Sequence, residues 1–327
     1  CQGLSRMKWV DKLSSTLLPV RYFHIVFTIP AELNRLTLVN QKCLYDILFK
    51  ACSESLLMLA KDPKYLNALT GLVAVLHTWG QNLMEHPHLH TLVPAGGWSD
   101  TNGFWKASRK NFFIPVKVIS AVFRGKFLAL LKQAYCQGQL KFDGEIKPLG
   151  LKNNFKQLLD TLYGKPWVVF AKKPFKNANH IVAYLGRYSH RVAIGNNRIL
   201  GIEGDHVVFK WKDYKDHSKQ KTMKLPAMEF IRRFLLHILP KGFCKIRYFG
   251  IFASRNRKTV LAKCSKALGY SFHKSRFTDL SWRQLLLLVS GIDVSLCPVC
   301  KKGNMIMIAV LKGFRGPPHS IKCTTAL

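Results

Sequence analysis

Aromatic and β-branched residues crowd Arg21 to Ile29 (RYFHIVFTI) and stop at Pro30, which predicts a strand. From Ala31 to Lys61 leucines recur at helical spacing, closed by Asp62-Pro63, so this stretch is expected to be helical. A shorter helix is expected around Leu69 to Leu76, leading to Trp79-Gly80. His88 to Val93 (HLHTLV) reads as a strand ended by Pro94 and Gly96-Gly97. Pro115 to Gln133 and Phe155 to Tyr163 have amphipathic helical period, Pro166 to Ala171 (PWVVFA) is a strand, and Asn177 to Arg191 returns to helical period.

The remainder reads as a further structural unit. Val207 to Trp211 and Thr222 to Leu225 are expected strands, Ala227 to Leu239 a helix, Lys245 to Phe252 a strand, and Ser281 to Val289 the last helix. Strands and helices mix with long connections and no internal repeat, which predicts an α+β fold rather than a bundle or barrel. The expected divisions are 1–20, 21–200, 201–295 and 296–327.

Charge changes this picture most. The 327 residues carry 51 Lys and Arg against 17 Asp and Glu, a formal net charge of +34. Self-repulsion on that scale calls for a polyanionic partner, and DNA or RNA backbone is the natural one. The most apolar run, Gln284 to Ser290 (QLLLLVS), is too short to span a bilayer, so no membrane role is expected. No secretory signal pattern follows the opening Cys1-Gln2-Gly3, and the Cys start suggests a fragment. Nine Cys, an odd count, point to a reducing compartment.

Two clusters carry candidate chemistry. In Glu85-His86-Pro87-His88-Leu89-His90, strand alternation turns His88 and His90 to one face and Leu89 to the core. Two imidazoles about 7 Å apart along one strand face can share a divalent ion. A third ligand must come from elsewhere, and Gln81, Glu85 and His24 are the candidates. Surface histidines that bind phosphate are the competing reading.

The second cluster is Ile181 to Arg191 (IVAYLGRYSHR). On a helix His180, Tyr184, Arg187 and Arg191 share one arc with Tyr188 at its edge, while Ile181, Leu185 and Val192 face the other way and Val182 lies at the margin. Tyrosines at i and i+4 flanked by permanent cations suit covalent attack on a phosphodiester, because nearby positive charge favours the phenolate. Half-buried packing tyrosines are the plainer alternative. His180 and Arg198 are candidate DNA contacts.

HPHLHTLVPAGG followed by YLGRYSHRVAI resembles the HUH-type two-tyrosine transposases of the IS-ninety-one class of bacterial insertion sequences. LLPVRYFHIVFTIPAEL, LHTWGQNL and EFIRRFLLHILPKGFCKIRYFG extend the likeness from about Trp9 to Gly250. The resemblance implies an HUH-endonuclease-like antiparallel sheet with flanking helices, followed by a smaller α/β extension that binds DNA. It implies a bacterial, nucleoid-associated enzyme of rolling-circle transposition that nicks and rejoins single-stranded DNA through a 5′-phosphotyrosine. His88 and His90 would hold Mg²⁺ or Mn²⁺, Tyr184 and Tyr188 would be the nucleophiles, and Arg187 and Arg191 would stabilise the charge that develops on phosphorus.

Members of that family carry a cysteine-rich zinc-binding segment before the first strand, and residues 1–20 look like its remnant. Cys297-Pro298-Val299-Cys300 is half of a zinc knuckle, with His319 and Cys323 the nearby offers for a Zn²⁺ ion that needs four ligands. Competing function classes are an acidic-triad nuclease built from Asp100, Asp143, Glu145 or Asp205, a metal-free tyrosine recombinase, and a DNA-binding protein without catalysis.

Overall fold

The computed structural model describes residues 3–101, 103–109, 114–175, 182, 185–186, 193–214, 216–306 and 308–309. They fall into two compact units, Cys1–Thr278 and Asp279–Leu327. In chain order the first unit contains α1 (Gly3–Ser14), β1 (Tyr22–Thr28), α2 (Asn34–Val39), α3 (Gln41–Lys61), β2 (Gly71–Trp79), β3 (Glu85–Pro94) and the hairpin β4 (Gly96–Ser99) and β5 (Phe104–Ala107). It continues with α4 (Val116–Cys136), α5 (Lys152–Gly164), β6 (Val169–Phe175), β7 (Ile199–Glu203), β8 (His206–Asp213), β9 (Lys219–Pro226), α6 (Ala227–Leu235), β10 (Ile246–Gly250) and α7 (Val260–Ala267). The second unit contains α8 (Trp282–Ser290), whose Ser281 and Gln284 form a capping box.

The architecture is α+β. Its centre is a five-stranded antiparallel sheet in the order β10-β2-β3-β1-β6. Strand alternation divides its side chains into two sets. Phe23, Ile25 and Phe27 of β1, Leu72, Ala74 and Leu76 of β2, and Leu89 and Val93 of β3 meet the long helices α3 and α4 in the main core. Burial of each large apolar side chain there contributes about 1.5–3 kcal/mol. Asn40 breaks the helical stretch between α2 and α3, and its side-chain amide pairs with the backbone of Lys141 at 2.7 and 2.9 Å.

The opposite face carries a second core. Tyr22 of β1, Val73 and Val75 of β2 and Leu92 of β3 pack with Leu13, Leu17 and Leu18 at the end of α1, with Leu261 and Cys264 of α7, and with Val182 and Leu185. Helix α1 is tied in by Trp9, whose Nε1 donates to the Tyr248 hydroxyl at 3.1 Å. Its buried Asp11 accepts from Ser275, Arg276 and Phe277. A smaller antiparallel sheet, β7-β8-β9, packs with α6 around Phe209, Phe230 and Phe234.

Most expected elements occur near their expected places, but Leu69 to Leu76 is not a helix. It forms β2, buried from Gly71 to Thr78, and central position fills both faces of the strand with apolar residues. The alternation that would mark it as a strand is therefore erased. Helix α6 ends at Leu235 rather than Leu239, and α1, the β4–β5 hairpin, β7 and α7 were not anticipated. Asn177 to Arg191 lies outside the described residues except at Val182, Leu185 and Gly186, which are helical.

Gly186 marks a close approach: a Cβ built there would stand 2.5 Å from Cγ2 of Val10 in α1. A branched side chain at this point has no room, and overpacking of this kind costs about 1–3 kcal/mol. Gly186→Val is therefore expected to lower the free energy of unfolding by that amount, read as a lower urea midpoint, and an unchanged midpoint would contradict the contact.

Candidate metal centre

The register of three strands assembles the site. His77 of β2 is the cross-strand partner of His88 of β3, and His90 lies opposite Val75 on one side and Val26 on the other. His24 of β1 pairs with Leu92, one alternation further along the same face. Four imidazoles thus share the sheet face that carries the second core. His24, His77 and His90 are buried, and His88 is half-buried.

Hydrogen bonds orient the rings. Nδ1 of His88 lies 2.5 Å from the His86 carbonyl, which can only accept, so that nitrogen carries the proton. The neutral ring then presents a bare Nε2, which stands 3.1 Å from Nε2 of His90. Nδ1 of His90 in turn shares a hydrogen bond of 2.8 Å with Nε2 of His24. With the shared proton on His90, the Nε2 atoms of both rings could turn their lone pairs to a cation placed between them. Nitrogens about 2.0–2.2 Å from one ion stand roughly 3 Å apart at adjacent coordination positions, so the observed spacing fits. One nitrogen each from His77, His88 and His90 can be chosen so that all lie within 4.8 Å of one another.

Burial holds these imidazoles neutral. It pushes the His24 and His88 pKa values down to about 4, and those of His77 and His90 well below the usual histidine range. The charge of Lys172, the β6 partner of His24, pushes His24 and His90 further in the same direction, and that of Lys245 acts on His77. Neutral imidazoles are the form that binds metal, and the flanking lysines supply positive potential for a phosphate.

The anticipated pair His88 and His90 is brought together, and the third imidazole beside it is His77, which the sequence reading did not single out. His77 lies in LHTW, and folding that segment back on HLH as a hairpin would have set it against His88. His24 hydrogen-bonds His90 rather than standing among the three clustered ligands. Gln81 sits in the turn between β2 and β3, where its carbonyl accepts from Arg198. Glu85 pairs with Trp79 beyond a register shift, and burial raises its carboxyl to about 7 against the pull of Arg35 and Arg232.

Tyr184, Tyr188, Arg187, Arg191 and His180 lie outside the described residues. Their described neighbours Val182 and Leu185 are fully buried in the second core, on the histidine face of the sheet. In the second unit the Gly303 N–H points at Cys300 Sγ at 3.4 Å, and the Gly303 and Lys302 N–H groups draw that thiol below its usual range. His319 and Cys323 lie outside the described residues. No helix among the described residues is long and apolar enough to cross a membrane.

Residues 71–259 match the model of a family described as "Putative transposase" (Y2_Tnp). The chain is 43% identical over 321 residues to the "Putative transposase y4qJ" of Sinorhizobium fredii, covering 98% of this chain and 81% of that protein. It is 29% identical over 274 residues to the "Transposase for insertion sequence element IS801" of Pseudomonas savastanoi pv. phaseolicola, covering 82% of this chain and 63% of that protein. No solved structure matches the chain significantly.

The depressed imidazole pKa values fix a pH dependence. Histidines in the unfolded chain take up protons near pH 6.5, whereas His24 and His88 resist protonation down to about 4 and His77 and His90 further still. Below about pH 6.5 the unfolded state therefore binds more protons, and stability falls with falling pH by up to about 1.4 kcal/mol per pH unit for each such group. The expected outcome is a metal-free protein whose urea midpoint drops between pH 6.5 and 4, with a shallower drop in His24→Gln. An equal slope in both proteins would contradict the burial of a neutral His24.

Proposed function

The chain belongs to this family of transposases, and on that premise we propose that it is an insertion-sequence transposase that cuts and rejoins single-stranded DNA by an HUH-type mechanism. The observation that carries the reading is the placement of His77, His88 and His90 on the sheet face where Val182 and Leu185 are anchored. Val182 and Leu185 flank Tyr184 in the sequence, and Tyr188 follows four positions after Tyr184.

His88 and His90 would hold a divalent ion through Nε2, with His77 as the third ligand and His24 fixing the His90 ring. An all-imidazole donor set is softer than Mg²⁺ prefers and favours a transition ion such as Mn²⁺. A bound ion supplies Lewis-acid polarisation of the scissile phosphodiester. Lys172 and Lys245 add positive charge that draws the DNA backbone to this face.

A phenol oxygen of Tyr184 or Tyr188 attacks phosphorus and loses its proton. The P–O bond to the departing 3′-oxygen breaks, and that oxygen takes up a proton to become a free 3′-hydroxyl. The product is a 5′-phosphotyrosine link whose bond energy is retained, so the reverse attack by a 3′-hydroxyl rejoins DNA without ATP. Arg187 and Arg191 stabilise the charge that builds on the phosphoryl oxygens. A second tyrosine permits a second cleavage before the first link is resolved.

The test is formation of a covalent adduct with a single-stranded oligonucleotide that carries an element end, in Mn²⁺. The intact chain is expected to form the adduct, and the Tyr184→Phe, Tyr188→Phe double variant to form none while still binding Mn²⁺. His77→Ala is expected to weaken Mn²⁺ binding by about 10- to 100-fold or more. Adduct that persists in chelator, or in the double tyrosine variant, would overturn the reading.

A further inference from the structure

Beside the histidines lies a cavity of about 440 Å³ between the β2–β3 turn and the small sheet. That volume is within the range of about 300–1,000 Å³ usual for small-ligand sites. Trp79, Trp211 and Tyr214 contribute aromatic rings to its lining, Arg198 and Lys212 cationic groups, and Gln81 an amide. No carboxylate lines it among the described residues. Arg198 buckles the walls together: its Nε donates to the Lys210 carbonyl at 2.8 Å and its Nη2 to the Gln81 carbonyl at 2.5 Å.

One residue, Trp79, both lines the cavity and touches the metal centre. The Trp79 indole lies stacked on the His77 imidazole, with ring centroids 5.2 Å apart and planes inclined by 15°. A ligand in the cavity therefore sits one aromatic layer from the clustered imidazole nitrogens.

We propose that this cavity takes an unstacked base of single-stranded DNA, flanking the phosphodiester held at the histidines. The location relative to the scissile bond rests on the HUH reading above; the base-binding itself does not. Aromatic rings give a base a stacking platform that duplex DNA, with its bases paired, cannot use. Arg198, Lys210 and Lys212 neutralise the adjoining phosphates, and the absence of lining carboxylates suits an anionic strand in a chain of net charge +34. Trp211 is half-buried against the small-sheet core, whereas Tyr214 is 68% exposed and can be removed without disturbing that core.

The experiment is fluorescence anisotropy of a labelled single-stranded oligonucleotide with the full chain in chelator, where cleavage is silent. Tyr214→Ala and Trp211→Ala are each expected to weaken single-strand binding about tenfold and to leave duplex binding unchanged. Trp211→Phe should restore most of the loss, and an abasic nucleotide at the matching position should weaken the intact chain without further weakening Trp211→Ala. Mn²⁺ affinity is expected to be unaltered in Tyr214→Ala. If both alanine variants bind single strands as the intact chain does, or lose duplex binding equally, the cavity is not a base site, and the metal reading survives. Aromatic effects without Mn²⁺ binding would overturn the metal reading and leave the base site standing.

Discussion

The structure depends most on the register in which β1, β3 and β2 pair. That register puts His77 across from His88 and sets His24 and His90 on the same face. A slip of one residue would turn every imidazole into the main core and every core aliphatic outward. Phe23, Ile25, Phe27, Leu89 and Leu76 make such a slip prohibitive, because they fill the opposite face against α3 and α4. The hydrophobic core thus specifies the position of polar groups it does not touch.

Burying four imidazoles together is unfavourable unless their nitrogens find partners, since an unsatisfied buried polar group costs about 1–3 kcal/mol. The His86 carbonyl, the His24–His90 bond and the close His88–His90 approach contribute to meeting that demand. In the proposed metal centre a shared cation would sit between the Nε2 atoms of His88 and His90. The second core on this face also holds Val182 and Leu185. Close packing of Gly186 on Val10 makes α1 part of that anchorage.

Much of the fold was legible because many of its elements have one wet face. Helices α4 and α5 and the β8–β9 hairpin carry patterns that declare their periods, whereas the strand from Tyr22, covered on both faces, is marked by its aromatic and β-branched residues and the stop at Pro30. Strand β2 was not legible, since a central strand covered on both faces shows a continuous apolar run with no alternation. The loss of β2 as a strand also hid His77, whose role exists only through its pairing with His88. His88 and His90 needed no partner strand to be seen, because two residues along one strand suffice to place them on one face. The role of His24 depends on a 2.8 Å contact across β1 and β3, which no local pattern encodes. The tyrosine pair is an expectation from helical spacing and family likeness that lies outside the described residues, and its roles belong to the proposed function.

The most direct test of the central claim is an anomalous difference map, measured at the manganese edge, from crystals of the full chain grown with Mn²⁺. One dominant peak is expected, bonded to Nε2 of His88 and Nε2 of His90 with His77 as the third protein ligand, and His24 hydrogen-bonded to His90 outside the coordination sphere. Manganese bound elsewhere on the chain with none at these histidines would contradict it.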